Sequence, residues 1–282
     1  MGLRGPNTWG VRVVDESSAE RVLHAVLDHG VNLIDTSPDY GMCERRIGDF
    51  ISSRRKEYYL ATKCGCDPIQ HTGHLEIRHT WTRDVIRRNV DESLRRMKTD
   101  YIDIIQFHGG DARTLENAGL IDSLVQLRDA GLVRHIGVSS KLPELNDLIA
   151  LNVFEVFQIP YSCLEPTHES AIRRCAESGA GVIIRGGIAQ GGPEAEIQRP
   201  AVNDAWAKAQ LDDLLTEEMS RAELILRYTI SNPCCHATIV GTANLIHLAE
   251  NVAAAEVGPL PPKLKQEIDN RIHFADRNSP SK

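Results

Sequence analysis

Short apolar runs alternate with amphipathic helical stretches along almost the whole chain, and no other feature narrows its fold so far. Apolar runs bounded by turn residues predict strands over residues 31–35, 58–63, 102–108, 133–139, 154–160, 181–185 and 237–241. Between them, helical spacing predicts helices over 44–53, 82–97, 117–130, 144–151, 168–178, 211–232 and 243–255. A first helix capped by Ser17 or Ser18 runs through Val22, Leu23, Val26 and Leu27, and a last one covers 261–274. Repeated strand–helix units imply a parallel sheet with right-handed crossovers. With a short strand within residues 2–9, eight units and one extra C-terminal helix predict an α/β chain of the (β/α)8 TIM-barrel class. The expectation is one barrel domain over 1–282. Little chain precedes the first helix, so the first strand is expected to be short or truncated.

Composition excludes several function classes. The net charge of −7 gives no electrostatic footprint for nucleic acid. The densest basic group, Arg83, Arg87, Arg88, Arg95 and Arg96, is interleaved with acids and reads as the wet face of a helix. No apolar run reaches the roughly 18 residues of a membrane span, and no secretory signal is visible at the start. Seven cysteines, an odd number spread through core segments, fit reduced thiols and a cytoplasmic location. Monomer and homo-oligomer stay open.

In α/β barrels the reacting groups stand where strands end. Three predicted strands end on an ionisable residue: Asp35, Lys63 and His108. Tyr40 follows Asp35 in the turn before Gly41. Neighbouring strands lie about 4.8 Å apart, so the four can converge on one mouth. A phenol titrating near about 10 is a poor acid at neutral pH. A nearby ammonium lowers that value, so Lys63 is expected to tune Tyr40 while Asp35 holds Lys63 charged. His108 offers a second donor to a carbonyl oxygen.

The stretch Asn32-Leu33-Ile34-Asp35-Thr36-Ser37-Pro38-Asp39-Tyr40-Gly41 resembles the signature of the aldo-keto reductase family, and the similarity runs over nearly the whole chain. The resemblance implies a catalytic tetrad of Asp35, Tyr40, Lys63 and His108, reducing an aldehyde or ketone with a nicotinamide cofactor. It further implies that Ser139, Ser140 and Gln158 bind the nicotinamide amide and that Tyr161 stacks on its ring. Residues 239–251 resemble the family's adenosine-phosphate segment, which brings in Gly241, Thr242, His247 and Asn251. Gly241 and His247 stand where a Lys and an Arg often hold the 2′-phosphate, and neutral His is a weaker partner than a guanidinium. The resemblance favours NADP(H); this local chemistry leaves NAD(H) open. Arg185, at a strand end, is a candidate phosphate contact.

Each residue also has a plainer reading. Asp35 alone fits a strand-end cap, Lys63 a surface residue, His108 a satisfied core histidine; their joint placement favours a site. Glu44 suits a helix terminus, where the dipole favours an acid. Cys64-Gly65-Cys66 with His71, His74 and His79 offers zinc donors, but one intervening residue is fewer than the usual two to four. The sequence therefore assigns no metal, and residues 64–81 are expected to line the mouth with 109–116 and 186–204. Two other functions stay open: a cofactor-holding regulatory subunit or redox sensor, and a metal-dependent barrel hydrolase.

Overall fold

The computed structural model describes residues 3–5, 14–194 and 199–277. Contacts gather the chain into two compact units. The first comprises Met1–Gln158, Glu177–Gly181 and Gly241–Leu248; the second comprises Ile159–Ala176, Val182–Val240 and Ala249–Lys282.

The first unit opens with α1 (Glu16–Asp28), β1 (Leu33–Asp35), α2 (Cys43–Phe50) and β2 (Tyr59–Cys64). A hairpin of β3 (Ile69–His71) and β4 (His74–Glu76) precedes α3 (Arg83–Met97) and β5 (Ile102–His108). Then come α4 (Ala112–Asn117), α5 (Leu120–Asp129), β6 (Val133–Ser139) and α6 (Leu145–Ala150). β7 (Val156–Pro160) is followed by α7 (Glu169–Glu177), β8 (Gly181–Arg185), α8 (Pro200–Lys208) and α9 (Arg221–Ile230). The last elements are β9 (Ala237–Ile239), α10 (Leu245–Val257) and α11 (Pro262–Arg277). The parallel strands follow chain order, β1-β2-β5-β6-β7-β8-β9, and the fold is the (β/α)8-barrel class with the extra C-terminal helix. Of the residues 2–9 expected to hold a first strand, 3–5 are described and carry no strand, and the rest lie outside the described residues.

Local chemistry explains where the elements begin and stop. Asp15, not Ser17 or Ser18, caps α1: its carboxylate accepts the Ser18 N–H at 2.7 Å. Ala19, Val22, Leu23 and Leu27 then form the buried stripe of that helix. Each fully buried aliphatic side chain contributes about 1.5–3 kcal/mol. Thr82 caps α3 through the Val85 N–H. The helix expected over 117–130 begins only at Leu120 as α5, because Gly119 adopts φ +62 ahead of it, and α4 falls almost wholly in the loop expected over 109–116. The helix expected over 211–232 is also interrupted; only α9, capped by Ser220, is continuous. The loop expected over 186–204 gives way at Pro200 to α8, where proline suits the first turn; residues 195–198 of it lie outside the described residues.

Register decides which side chains share a face, because paired residues in parallel strands point the same way and residues two apart along a strand do too. Asp35 pairs with Ala61, Lys63 with Gln106, His108 with Ser139, and Ser139 with Gln158. Asp35, Lys63, Gln106, His108, Ser139 and Gln158 therefore lie on one face near the ends of successive strands. Asp103 points the other way and is satisfied structurally, accepting the Leu60 N–H at 2.9 Å and Arg134 at 3.0 Å.

Candidate active site

The site grows from a buried ion pair in the first unit. Lys63 is wholly buried, and its Nζ donates to both Asp35 oxygens, at 2.9 and 2.8 Å, and to the Thr36 carbonyl at 2.9 Å. All three ammonium donors are thereby used. Asp35 also accepts the Gln158 amide at 2.8 Å and the Gln106 amide at 3.3 Å. The Ser139 hydroxyl donates to the other end of Gln158 at 3.2 Å. One hydrogen-bonded chain so links the ends of β1, β2, β5, β6 and β7.

Tyr40 stands above this pair. A turn closed by its N–H on the Ser37 carbonyl at 3.0 Å sets its backbone. The Lys63 Nζ lies 5.4 Å from its ring centroid, and the Arg4 guanidinium 4.5 Å from it. The His108 ring meets it edge-on, with centroids 6.0 Å apart. Burial pushes the Tyr40 phenol above its ordinary range; Lys63 opposes that push, and Asp35 adds to it. Lysine tuning alone would lower the phenol, and here desolvation outweighs it. Burial also works against the Lys63 ammonium, but the charge and hydrogen bond of Asp35, together with Tyr40 and Asp39, outweigh it and hold Lys63 above the usual lysine range. For His108, burial prevails over the pull of Asp39 and keeps the imidazole below its usual value, hence neutral at pH 7.

Around His108 a second group gathers. Its Nδ1 is 3.0 Å from Asp39 Oδ2, 3.3 Å from His79 Nε2 and 3.4 Å from Cys66 Sγ. Despite burial, the close approach of the His108 and His79 rings and the hydrogen bond from the Ser37 hydroxyl hold the Asp39 carboxyl far below the carboxylate range. Gly65 makes the turn that brings Cys66 here: its φ is +84, and a Cβ would sit 2.2 Å from the Trp81 ring. Glu44 lies in the first turn of α2 as expected, but it is buried, accepting the hydroxyls of Thr62 and Ser93 at 2.7 Å and Arg96 at 3.1 Å.

The structure thus brings Asp35, Tyr40, Lys63, His108, Ser139 and Gln158 together, with Ser140 next in line after β6. Gly241 and Thr242 lie in the segment between β9 and α10, and His247 in the first turn of α10, all in the first unit. There the Thr242 hydroxyl accepts the Asn244 N–H at 3.0 Å, and Asn244 accepts the Ile246 N–H at 2.8 Å. In the second unit, Tyr161 is wholly buried beside Tyr228, at 6.1 Å between centroids, and its N–H donates to the Arg185 carbonyl. Asn251 belongs to the same unit, one turn along α10 from His247.

Sequence reasoning missed Gln106, Arg4 and the assembly around Asp39. Gln106 carried a readable signal, a polar residue in an apolar run two positions before His108. Arg4 carried none.

The family model described as the aldo/keto reductase family matches residues 2–272. The chain is 25% identical to the oxidoreductase YqkF of Bacillus subtilis, over 90% of each chain. It is 26% identical to the L-galactose dehydrogenase of Arabidopsis thaliana, over 86% of this chain and 79% of that one. Among solved structures, the holo form of the aldo-keto reductase AKR11C1 from Bacillus halodurans superposes with a TM-score of 0.80. It shares 28% identity, covering 91% of this chain and 88% of that one.

Proposed function

The chain belongs to the aldo-keto reductase family of nicotinamide-dependent oxidoreductases, and from that premise we propose that it reversibly reduces an aldehyde or ketone to the alcohol as a cytoplasmic enzyme. All seven cysteines are free, which accords with a reducing compartment. The observation that carries the catalytic reading is the wholly buried Lys63, paired with Asp35 beneath the Tyr40 ring. A buried ion pair is weak evidence for stability alone, which favours a chemical role.

A bound nicotinamide supplies the hydride to the carbonyl carbon. The Tyr40 hydroxyl gives its proton to the carbonyl oxygen as the C=O π bond breaks, yielding the alcohol and a transient phenolate. The Lys63 ammonium stabilises that phenolate, and Asp35 keeps Lys63 charged and in place. Neutral His108 orients the substrate oxygen. In the reverse direction the Tyr40 phenolate takes the proton back.

The residues fit a nicotinamide amide. Ser139, Ser140 and Gln158 place hydroxyl and amide groups together at strand ends, and Gln106 Oε1 nearby is buried without a hydrogen bond. For the adenosine phosphate end, the proposed contacts Gly241, Thr242 and His247 include no guanidinium. NADP(H) is proposed on the family's preference, with NAD(H) as the alternative that this segment admits.

Turnover tests the reading. NADPH and NADH are each offered with a panel of aldehydes and ketones, including aldoses because the Arabidopsis relative is an L-galactose dehydrogenase. Repeated turnover with at least one pair is expected. Oxidation that stops after one equivalent of cofactor would favour a redox sensor instead.

A further inference from the structure

We propose that Asp39, Cys66, His79 and His108 form a binding site for one divalent transition-metal ion of the zinc class. Each offers one donor atom, and the four atoms lie within 4.8 Å of one another. His108 Nδ1 is 3.0 Å from Asp39 Oδ2, 3.3 Å from His79 Nε2 and 3.4 Å from Cys66 Sγ; His79 Nε2 is 3.5 Å from Asp39 Oδ2. A tetrahedral ion with bonds of about 2.0–2.3 Å needs its donors about 3.3–3.7 Å apart. Four of the six separations sit around that edge length, and the other two, from Cys66 Sγ to Asp39 and to His79, lie within 4.8 Å, so shifts of about an ångström or less would seat the ion.

Proton counting points the same way. His108 Nδ1 faces Asp39, Cys66 and His79, and also the Ser37 hydroxyl at 3.5 Å, yet it carries at most one proton. Asp39 is 1% exposed, and its Oδ2 meets both rings without the alignment of a hydrogen bond. A cation at the centre of the cluster would satisfy all four donors at once. One thiolate, two imidazoles and one carboxylate suit zinc or cobalt and disfavour magnesium and calcium, which prefer all-oxygen shells.

The surroundings hold the donors in place. Cys66 and His79 face each other across an antiparallel bridge. The Asn89 side chain binds the Cys66 backbone twice, accepting its N–H at 3.0 Å and donating to its carbonyl at 2.8 Å. Asp39 is fixed by the Ser37 hydroxyl, and the His79 ring is stacked on Trp81. Both histidines keep some exposure, 31% and 22% of their side chains, which leaves a path for the ion. On binding, the Cys66 thiol releases its proton to solvent and its sulfur bonds the metal. Coordination through Nδ1 leaves the His108 proton on Nε2. Only the value of that proton to a substrate oxygen rests on the reductase reading; the site itself does not.

Chelator-treated protein titrated with Co2+ and then with Zn2+ tests this without reference to turnover. One equivalent of Co2+ is expected to give a thiolate-to-metal charge-transfer band and a tetrahedral visible spectrum, both displaced by one equivalent of Zn2+. Cys66→Ser should abolish the charge-transfer band. His79→Gln should weaken affinity by more than the about 10–100-fold typical of losing an outer partner. The double variant His71→Ala/His74→Ala, on the hairpin, should bind as the parent does. Near-ultraviolet circular dichroism confirms that each variant is folded. No charge-transfer band in the parent, a band that survives Cys66→Ser, or binding lost with His71 and His74 overturns the proposal.

Discussion

Replacing Asp35 with asparagine removes the charge opposite a fully buried ammonium while keeping side-chain volume. Lys63 Nζ then loses the carboxylate it meets at 2.8 and 2.9 Å and retains only the Thr36 carbonyl as a strong partner. The introduced amide must also face the donating Gln158 amide, which Asp35 meets at 2.8 Å. Breaking a buried pair by removing one partner costs about 3–5 kcal/mol, and the crowded donors place this variant at the upper end. Lys63→Met leaves Asp35 charged but still holding Gln158 and Gln106, so its cost falls at the lower end, about 3 kcal/mol. Together the two changes remove both charges and leave a neutral, filled site, for which a net cost of about 0–2 kcal/mol is expected. Equilibrium urea unfolding of the four proteins gives the coupling directly. A double variant more stable than the sum of the singles by about 4 kcal/mol or more supports the pair as drawn. Costs that add within about 0.5 kcal/mol would refute a tight, desolvated Asp35–Lys63 contact.

Two further outcomes follow from the same geometry. Gly65→Ala meets both a φ of +84 and a Cβ only 2.2 Å from the Trp81 ring, so urea unfolding should show destabilisation of at least about 1–2 kcal/mol with an altered tryptophan emission; an unchanged midpoint contradicts the turn. Burial raises the Tyr40 phenol, and a raised acid keeps its proton to higher pH, so the reduction rate should stay level through neutral pH and fall only above the ordinary phenol range near about 10. A falling limb centred near pH 7–8 would show that Lys63 outweighs burial after all.

The strand order and the placing of Asp35, Lys63 and His108 on one face near strand ends were legible in the sequence for one physical reason. An apolar run that ends on a charged or ionisable residue marks both a buried strand and its functional end, as at Asp35 and His108. Helix starts were harder to read, because nothing in the spacing over 117–130 marks Gly119 as the residue whose positive φ sets the start of α5. The β3–β4 hairpin was hidden in a polar loop whose strands have no buried face to pattern them. The cluster around Asp39 was illegible for a deeper reason. Local spacing drew attention to Cys64 and Cys66 together, whereas Gly65 turns only Cys66 toward donors that come from separate segments. His71 and His74 stack on each other at 4.7 Å, and His71 pairs with Glu76.

The most direct measurement on the central claim is Tyr40→Phe, assayed for carbonyl reduction and titrated with cofactor by fluorescence. The account predicts turnover reduced by about 10²–10⁴-fold or more, with cofactor affinity nearly unchanged, because only the proton-bearing oxygen is removed. Turnover retained at the parent rate, or lost together with cofactor binding, would contradict Tyr40 as the proton donor.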